Sequence, residues 1–307
     1  MRVHLLAPEF PPVIGGIATW ASSVAAALRE AGVPTVVHAR APAEADSVIR
    51  GRSWARFGPW WTALHLRPRL RSGDTILAAT WPMAARLVGV APLATAYHGS
   101  DLTRPPRTSG RDNVICSGRN LPVSRYLGSL LGAPHRVLPY PIRPLPLTPR
   151  GRALLVVARL TPLKGVDTAI RLGHRLGREV VVVGDGPERG RLEALSDALG
   201  ARTNFLGETR NIPWSVAWAL ALLSRPDHDG SGQEGLGLVL LEAAARGIPS
   251  IGSRCGGIPE AATVVLDDPE HSEVPPLPGP EEVQARLAAE HGPERTVEVL
   301  RAALESA

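Results

Sequence analysis

Short apolar runs alternate with amphipathic stretches along most of this chain, and that alternation restricts its fold more than any other feature. In the second half, ALLVVARL, EVVVVGDGP, TNFLGE, LALLSRP and IPSIGS read as strands. VDTAIRLGHRLG, RGRLEALSDALG and LVLLEAAARG carry apolar residues at helical spacing between them. Strands separated by helices pair in parallel through right-handed crossovers. The first half follows the same rule. RVHLLA is a strand, PEFPPVIGG a loop, and IATWASSVAAALREAG a helix closed by Gly32. PTVVHA, TILAAT (75–80), ATAYHGS (94–100) and NVICSG (113–118) read as further buried strands, and SRYLGSLLG (124–132) as a helix.

The segment PYPIRPLPLTP (139–149) interrupts the alternation with five prolines. Without amide hydrogens they can extend neither a helix nor a central strand, so a domain boundary falls there. The expected architecture is α/β: two Rossmann-like domains, 1–143 and 144–275, with parallel sheets facing across a cleft. The tail 276–307 is expected to be helical and to pack back on the first domain. A length of 307 residues suits two such domains.

The charge excludes some functions. The net charge is only +5, and no dense basic block alternates with aromatics, which argues against nucleic acid. The 34 basic residues include a single lysine, Lys164, a bias expected of a GC-rich bacterial genome. No apolar run is long enough to span a membrane. The start, MRVHLLAPEFPPVIGG, meets Glu9 and three prolines and reads as a buried strand rather than a secretory signal. Cys116 and Cys255 have no metal-ligand spacing and read as reduced thiols, so a cytoplasmic location is expected. The segment SWARFGPWWTALHLRPRLR (53–71) crowds Trp54, Phe57, Trp60 and Trp61 against arginines. It fits a packed helix pair with a solvated basic face. It also fits a lipid or acceptor surface, and then a peripheral contact with the inner face of the membrane.

Ligands of open α/β sheets bind beyond the carboxyl ends of the strands. Gly15, Gly16, His98, Arg159, Gly184, Gly186, Gly207 and Glu234 all follow predicted strands. In EGLGLVLLEAAARGIPSIGSRCGG (234–257), a helix starting near Leu238 offers free N–H groups to an anion. Gly235 and Gly237 allow close backbone approach. Glu234 lies outside that helix and Glu242 about one turn inside it. An anion flanked by two carboxylates that accept hydroxyls describes a nucleotide sugar. In RLTPLKG (159–165), Arg159 and Lys164 share one loop after a strand, and both bind phosphate oxygens.

Several motifs in one order resemble retaining glycosyltransferase family 4, with the GT-B fold. They are Glu234–x7–Glu242 in EGLGLVLLEAAARGIPSIGSRCGGIPE, ARLTPLKGVD, VVVGDGPERGRLEAL, FLGE and the amino-terminal PEFPPVIGGIATWASSVAAAL. The resemblance covers most of 1–262 and is most specific over 154–260. It implies a donor domain in the second half and an acceptor domain in the first. It further implies that Arg159 and Lys164 neutralise the donor diphosphate and that Glu234 holds hydroxyls of the transferred sugar. Gly235, Leu236, Gly237 and Leu238 lie nearby, and Glu242 binds the ribose. His98 touches the hexose or a phosphate oxygen, Gly15 and Gly16 approach the diphosphate, and Leu206 with its neighbours Gly184 and Gly207 lines the nucleotide. The implied partners are a nucleoside-diphosphate sugar and a small-molecule, lipid or glycan acceptor. No cofactor and no divalent metal are implied.

Other readings are weaker. A glycosidase needs two carboxylates converging on one bond, which eight residues across a loop and helix make awkward. GDGPERG places its third glycine one step late for a dinucleotide fingerprint. A nucleotide-sugar epimerase and a non-catalytic nucleotide-sugar-binding partner subunit share the expected fold and stay as alternatives. Asp227, His228 and Asp229 resemble metal ligands but read as part of a mobile loop beside the donor. No glycine-containing donor loop is recognisable after PEAATVVLDDPE.

Overall fold

The computed structural model describes residues 2–13, 15–40, 44–49, 54–103, 109–226 and 233–305, with side chains for all of these except 54–58, 100 and 109. Two compact units emerge. One comprises Met1–Pro141 and Glu290–Ala307, the other Ile142–Ala289. The chain passes between them inside the proline-rich segment. The tail divides: residues up to Ala289 join the second unit and those from Glu290 the first.

The first unit runs β1 (Arg2–Ala7), α1 (Gly16–Glu30), β2 (Thr35–Arg40), β3 (Ser47–Ile49), α2 (Trp54–Leu66), β4 (Asp74–Ala78), α3 (Trp81–Ala84), β5 (Leu93–Tyr97), α4 (Ser100–Thr103), α5 (Ser109–Cys116), β6 (Asn120–Pro122) and α6 (Arg125–Leu131). Among the described residues its strands form a six-stranded sheet ordered β3-β2-β1-β4-β5-β6. The pairs are parallel, with Leu5 opposite both Val37 and Leu77. Leu6, Ile49, Leu66, Ile76 and Leu87 are fully buried in one core cluster. Ser124 caps α6 by accepting from the Leu127 N–H at 3.2 Å, and Gly132 ends it at φ 63°.

NVICSG is not a strand, contrary to expectation. Asn113–Cys116 belong to α5, and the neighbouring strand is Asn120–Pro122. Arg111, Val114 and Ile115 are buried at i, i+3 and i+4, a helical face that a short apolar run does not reveal.

The second unit runs β7 (Ala153–Val157), α7 (Val166–Arg175), β8 (Val180–Val183), α8 (Arg189–Leu199), β9 (Thr203–Gly207), β10 (Ala217–Leu222), α9 (Leu238–Ala244), β11 (Ser250–Ser253), α10 (Ile258–Ala261), β12 (Val264–Leu266) and most of α11 (Pro280–His291). Its sheet, again six parallel strands among the described residues, has the order β12-β11-β10-β7-β8-β9. Leu154, Val156, Ile170, Val182, Ala221 and Ile251 pack between the sheet and its helices. Truncating a fully buried side chain such as Ile170 to alanine costs about 2–5 kcal/mol.

The last helix, α12 (Pro293–Glu305), returns to the first unit and packs on α1. It buries Thr296, Val297, Leu300 and Leu304. The Thr296 hydroxyl donates to the Pro139 carbonyl and the Arg301 guanidinium to that of Ala31, each at 3.0 Å. Among the described residues no helix is long and apolar enough to cross a membrane.

Candidate active site

Both sheets have the doubly wound order, in which the chain reverses direction across the sheet beside the first strand. Ligands bind beyond the carboxyl ends of the two strands flanking that point. In the second unit those strands are β7 and β10, and the residues that follow them are 158–165 and 223–234.

Residues Pro162–Lys164 form a 3-10 turn that stops at Gly165, whose φ of 59° favours glycine. A Cβ on Gly165 would lie 1.9 Å from the Leu223 carbonyl oxygen. The turn is therefore seated directly on the chain leaving β10, and the Arg225 N–H donates to the Leu163 carbonyl at 2.9 Å. This seating carries Lys164 to Glu234: its Nζ donates to Glu234 Oε2 at 2.5 Å, with both side chains part-buried. The Ser224 hydroxyl lies 3.5 Å from the same oxygen.

Glu234 is held from behind by the turn after β11. The Gly257 N–H donates to the Glu234 carbonyl at 2.9 Å, and the Gly256 N–H donates to the Gln233 side chain at 3.1 Å. Cβ atoms on Gly256 and Gly257 would stand 2.1 Å from the carbonyl oxygens of Glu234 and Gly235. Cys255 is buried in this turn, and burial pushes its thiol up from the ordinary range. Gly235, Leu236 and Gly237 then lead into α9, with Gly237 at φ 84°.

Glu242 sits on α9, half-buried, and burial raises its carboxyl above the usual range while Arg246 opposes the rise. Arg159 is exposed, and its side chain has no hydrogen bond or ion pair among the described residues. The structure thus brings Lys164 and Glu234 into contact and leaves Arg159 on the same loop as an open cation. Gly184 packs against the Ala158 carbonyl, and its N–H donates to that of Gly207 at 2.8 Å. Leu206 is exposed beside it.

This arrangement offers a paired ammonium and carboxylate with an unpaired guanidinium nearby. A polyanion can draw Lys164 away, and Glu234 is then free to accept hydrogen bonds from hydroxyls. From the sequence, Ser224, Gly256 and Gly257 are not assigned to the site, and Cys255 is read only as a reduced thiol. The pair of adjacent glycines in RCGG was the available signal.

In the first unit the flanking strands are β1 and β4. Gly15 precedes α1 and Gly16 begins it, with no side-chain cap on its first N–H groups. His98 follows β5. Its ring meets that of Trp20, fully buried on α1, edge to face at 4.6 Å between centroids. His98 Nε2 and Trp20 Nε1 are both buried without a hydrogen-bond partner among the described residues. Burial lowers the His98 imidazole to about 4, against the opposing effect of the Ala79 backbone, so it is neutral at pH 7. The His98 N–H donates to Asp101 Oδ2 at 3.2 Å. Burial raises Asp101 to about 6, opposed by that N–H and by Arg111. Trp20 and Asp101 are neighbours of His98 that the sequence did not point to.

Within the segment 53–71, the described residues form one helix, α2 (Trp54–Leu66), and a short 3-10 turn (Arg67–Arg69) rather than a helix pair. Trp60 is 51% and Leu64 64% exposed, with the Arg86 guanidinium 4.3 Å above the Trp60 ring. The side chains of Trp54 and Phe57, and all of Asp227, His228 and Asp229, lie outside the described residues.

Residues 143–264 match the family model described as glycosyl transferases group 1. The chain is 36% identical over 126 residues to a GDP-mannose-dependent alpha-(1-6)-phosphatidylinositol monomannoside mannosyltransferase of Mycolicibacterium smegmatis; the match covers 37% of this chain and 32% of the relative. It is 34% identical over 120 residues to a D-inositol 3-phosphate glycosyltransferase of Mycobacterium leprae, covering 36% and 27% of the two chains. The matched segment is about a third of the length of these curated relatives. Similarity of fold extends further. AviGT4, a glycosyltransferase involved in avilamycin A biosynthesis, superposes over 100% of this chain and 98% of its own with a TM-score of 0.74 and 21% identity. Anabaena Alr3699/HepE in complex with UDP and glucose superposes over 100% of both chains with a TM-score of 0.74 and 17% identity. The GT-B fold expected from the motifs is the fold these structures share with this chain.

Proposed function

We propose, from the premise that residues 143–264 are a glycosyl transferases group 1 domain, that this chain is a retaining, metal-independent glycosyltransferase. It moves a hexose-type sugar from a nucleoside-diphosphate sugar to a hydroxyl acceptor. The observation that carries this reading is the Lys164–Glu234 pair at the switch point of the second sheet, with Arg159 open on the same loop.

Arg159 and Lys164 neutralise the diphosphate as it leaves, and no metal is needed for that charge. Fixed donors aimed at developing charge are worth about 10²–10³ in rate for each one removed. Glu234, released from Lys164, accepts hydroxyls of the transferred sugar. Gly235, Leu236, Gly237 and Leu238 bring backbone N–H groups beside it. Glu242 accepts from the ribose, and Leu206, Gly184 and Gly207 border the base. The departing phosphate oxygen takes the acceptor's proton. In the first unit, neutral His98 recognises the hexose or a phosphate oxygen through the nitrogen that has no protein partner. Gly15 and Gly16 give the diphosphate close access to backbone. The exposed Trp60, Leu64 and neighbouring arginines support a peripheral contact of a cytoplasmic protein with the membrane.

The test is a thermal-shift panel of nucleoside diphosphates and their sugars, followed by turnover assays with and without acceptor. GDP-mannose and UDP-glucose both belong in the panel, because one similar protein is GDP-mannose-dependent and another is seen in complex with UDP-glucose. Donor binding followed by acceptor-dependent transfer, insensitive to EDTA and lost in Lys164→Ala, supports the proposal. Conversion of the donor without acceptor points instead to an epimerase, and binding without turnover to a partner subunit.

A further inference from the structure

A line of polar side chains crosses one face of the first sheet, one from each of four neighbouring strands. Asp74 stands on β4, His4 on β1, His38 on β2 and Ser47 on β3, and His65 of α2 closes the line. The spacings are those of a continuous hydrogen-bond chain. Asp74 Oδ2 to His4 Nε2 is 3.1 Å, His4 Nδ1 to His38 Nε2 2.9 Å, and His38 Nδ1 to His65 Nε2 3.2 Å. Ser47 Oγ lies 2.9 Å from the same His65 nitrogen. His4, His38 and Asp74 are buried, and His65 is the part-exposed end. Beyond it a cavity of about 420 Å³ opens, lined by Ser47, Val48, Trp61, Leu64, His65 and Arg69.

With one hydrogen on each ring and Ser47 Oγ accepting beside His38, the contacts have one continuous donor–acceptor pattern. Asp74 also accepts the Arg71 N–H at 2.8 Å, and although burial pushes its carboxyl up, that N–H and His4 bring it below its ordinary value. An ionised carboxylate only accepts, so His4 carries its hydrogen on Nε2. A neutral imidazole has one N–H, so His4 Nδ1 accepts, His38 Nε2 donates, His38 Nδ1 accepts and His65 Nε2 donates. His65 Nδ1 is then left as a bare acceptor, with no partner among the described residues. One added proton on His65 Nδ1 can pass inward. His65 hands its Nε2 proton to His38 Nδ1, and His38 hands its own Nε2 proton to His4 Nδ1. His4 then becomes an imidazolium against Asp74, and His65 Nδ1–H becomes a donor.

We propose that the cavity beside Ser47, His65 and Arg69 binds a sulfate- or phosphate-type anion, and that binding takes up one proton through the His65–His38–His4–Asp74 chain. Arg69 supplies the fixed positive charge, its guanidinium held by the His65 carbonyl. His65 Nδ1–H and the Ser47 hydroxyl supply donors. Without an anion, burial and the charge of Arg69 oppose proton uptake at His38 and His65. His38 is lowered to about 3 by burial, then by His4, His65 and Arg69, and His65 is lowered by burial and then by Arg69. Arg2 faces Asp74 at the far end. Asp46, next to Ser47, is already engaged by Arg29 and the Val37 N–H. An anion beside Arg69 offsets the charge that opposes proton uptake. Because the linked proton enters on binding, affinity rises as pH falls, by up to about tenfold per pH unit. The anion is either free or the headgroup of a lipid, and the apolar rim of Trp61 and exposed Leu64 accommodates both.

The experiment follows histidine side-chain nitrogen resonances of the full chain between pH 8 and 5.5, with sulfate, which does not titrate there, as the probe. A parallel arm uses phosphatidylglycerol vesicles, with phosphatidylcholine vesicles as the blank. The expected result is that sulfate shifts the His65 Nδ1 resonance, binds at least about tenfold tighter at pH 5.5 than at pH 7.5, and loses affinity in Arg69→Gln, an exposed and fold-neutral change. His38→Gln should keep weak binding and lose its pH dependence. A response to phosphatidylglycerol without one to sulfate would identify the headgroup as the source of the anion. No His65 response to either probe, binding unaltered in Arg69→Gln, or a pH dependence unaltered in His38→Gln would each overturn the proposal.

Discussion

In the second unit, Cβ atoms added at Gly165, Gly184 and Gly256 would stand 1.9–2.1 Å from a neighbouring carbonyl oxygen; in the first, those added at Gly15, Gly110 and Gly128 would meet only side chains. The strand ends of the second unit are therefore locked backbone against backbone. Those of the first are held by side chains: Trp20 against His98, the His98 N–H on Asp101, and Arg111 on the Asp101 carbonyl. Backbone contact at that range admits only glycine, whereas side-chain packing has many solutions. The family match, over 143–264, falls inside the second unit.

The comparison can be sharpened or broken. The largest effect is expected at the paired site. Lys164→Ala should lower kcat/KM by about 10²–10³ with the fold intact, and initial rates with melting curves check both. A loss of folding instead of rate would move Lys164 from the chemistry to the scaffold. Next come the glycines. Gly165→Ala combines a positive φ with a carbonyl clash and should destabilise the second unit by about 3 kcal/mol or more. Gly200→Ala has a φ of 63° and open space, and should cost about 1–2 kcal/mol. Equal melting temperatures for the two variants would break the backbone-lock account.

The third effect tests the side-chain half. His98 has a folded value of about 4 against 6.5 when unfolded, so its contribution is full above pH 6.5 and is lost as pH falls towards 4. Denaturant titrations at pH 7 and pH 4 should differ by about 3 kcal/mol less in His98→Gln than in the parent. The smallest effect is a difference in labelling. Cys116 is exposed, whereas burial raises the Cys255 thiol, so iodoacetamide should modify Cys116 and spare Cys255 until the protein unfolds.

Sequence reading reached the second unit almost element by element, because its helices and strands differ in period and its glycines mark fixed turns. It also chose Lys164 and Glu234, whose contact closes across 70 positions of sequence. It could not see that Gly256 and Gly257 hold Glu234 from behind, since that depends on which turn lies beside β10. In the first unit the short strands Ser47–Ile49, Asn120–Pro122 and the misread NVICSG carry too few residues for a period to show. The histidine line was invisible for a related reason. His4, His38 and His65 are scattered in sequence; parallel register aligns the first two, and α2 brings His65 to them.

The return of α12 to the first unit makes the second an insertion, with both of its ends joined to one host. During synthesis, the last residue of the inserted body is added before any residue of the host's closing segment. The host, though begun first, waits for α12 to cover α1. Birth order and completion order are thus reversed, and between Pro141 and the end of α12, about 8–33 seconds at about 5–20 residues per second, the nascent amino-terminal half is the exposed one. Proteolytic trimming of the final helix should reproduce that state, with an intact inserted body hanging from an unfinished host.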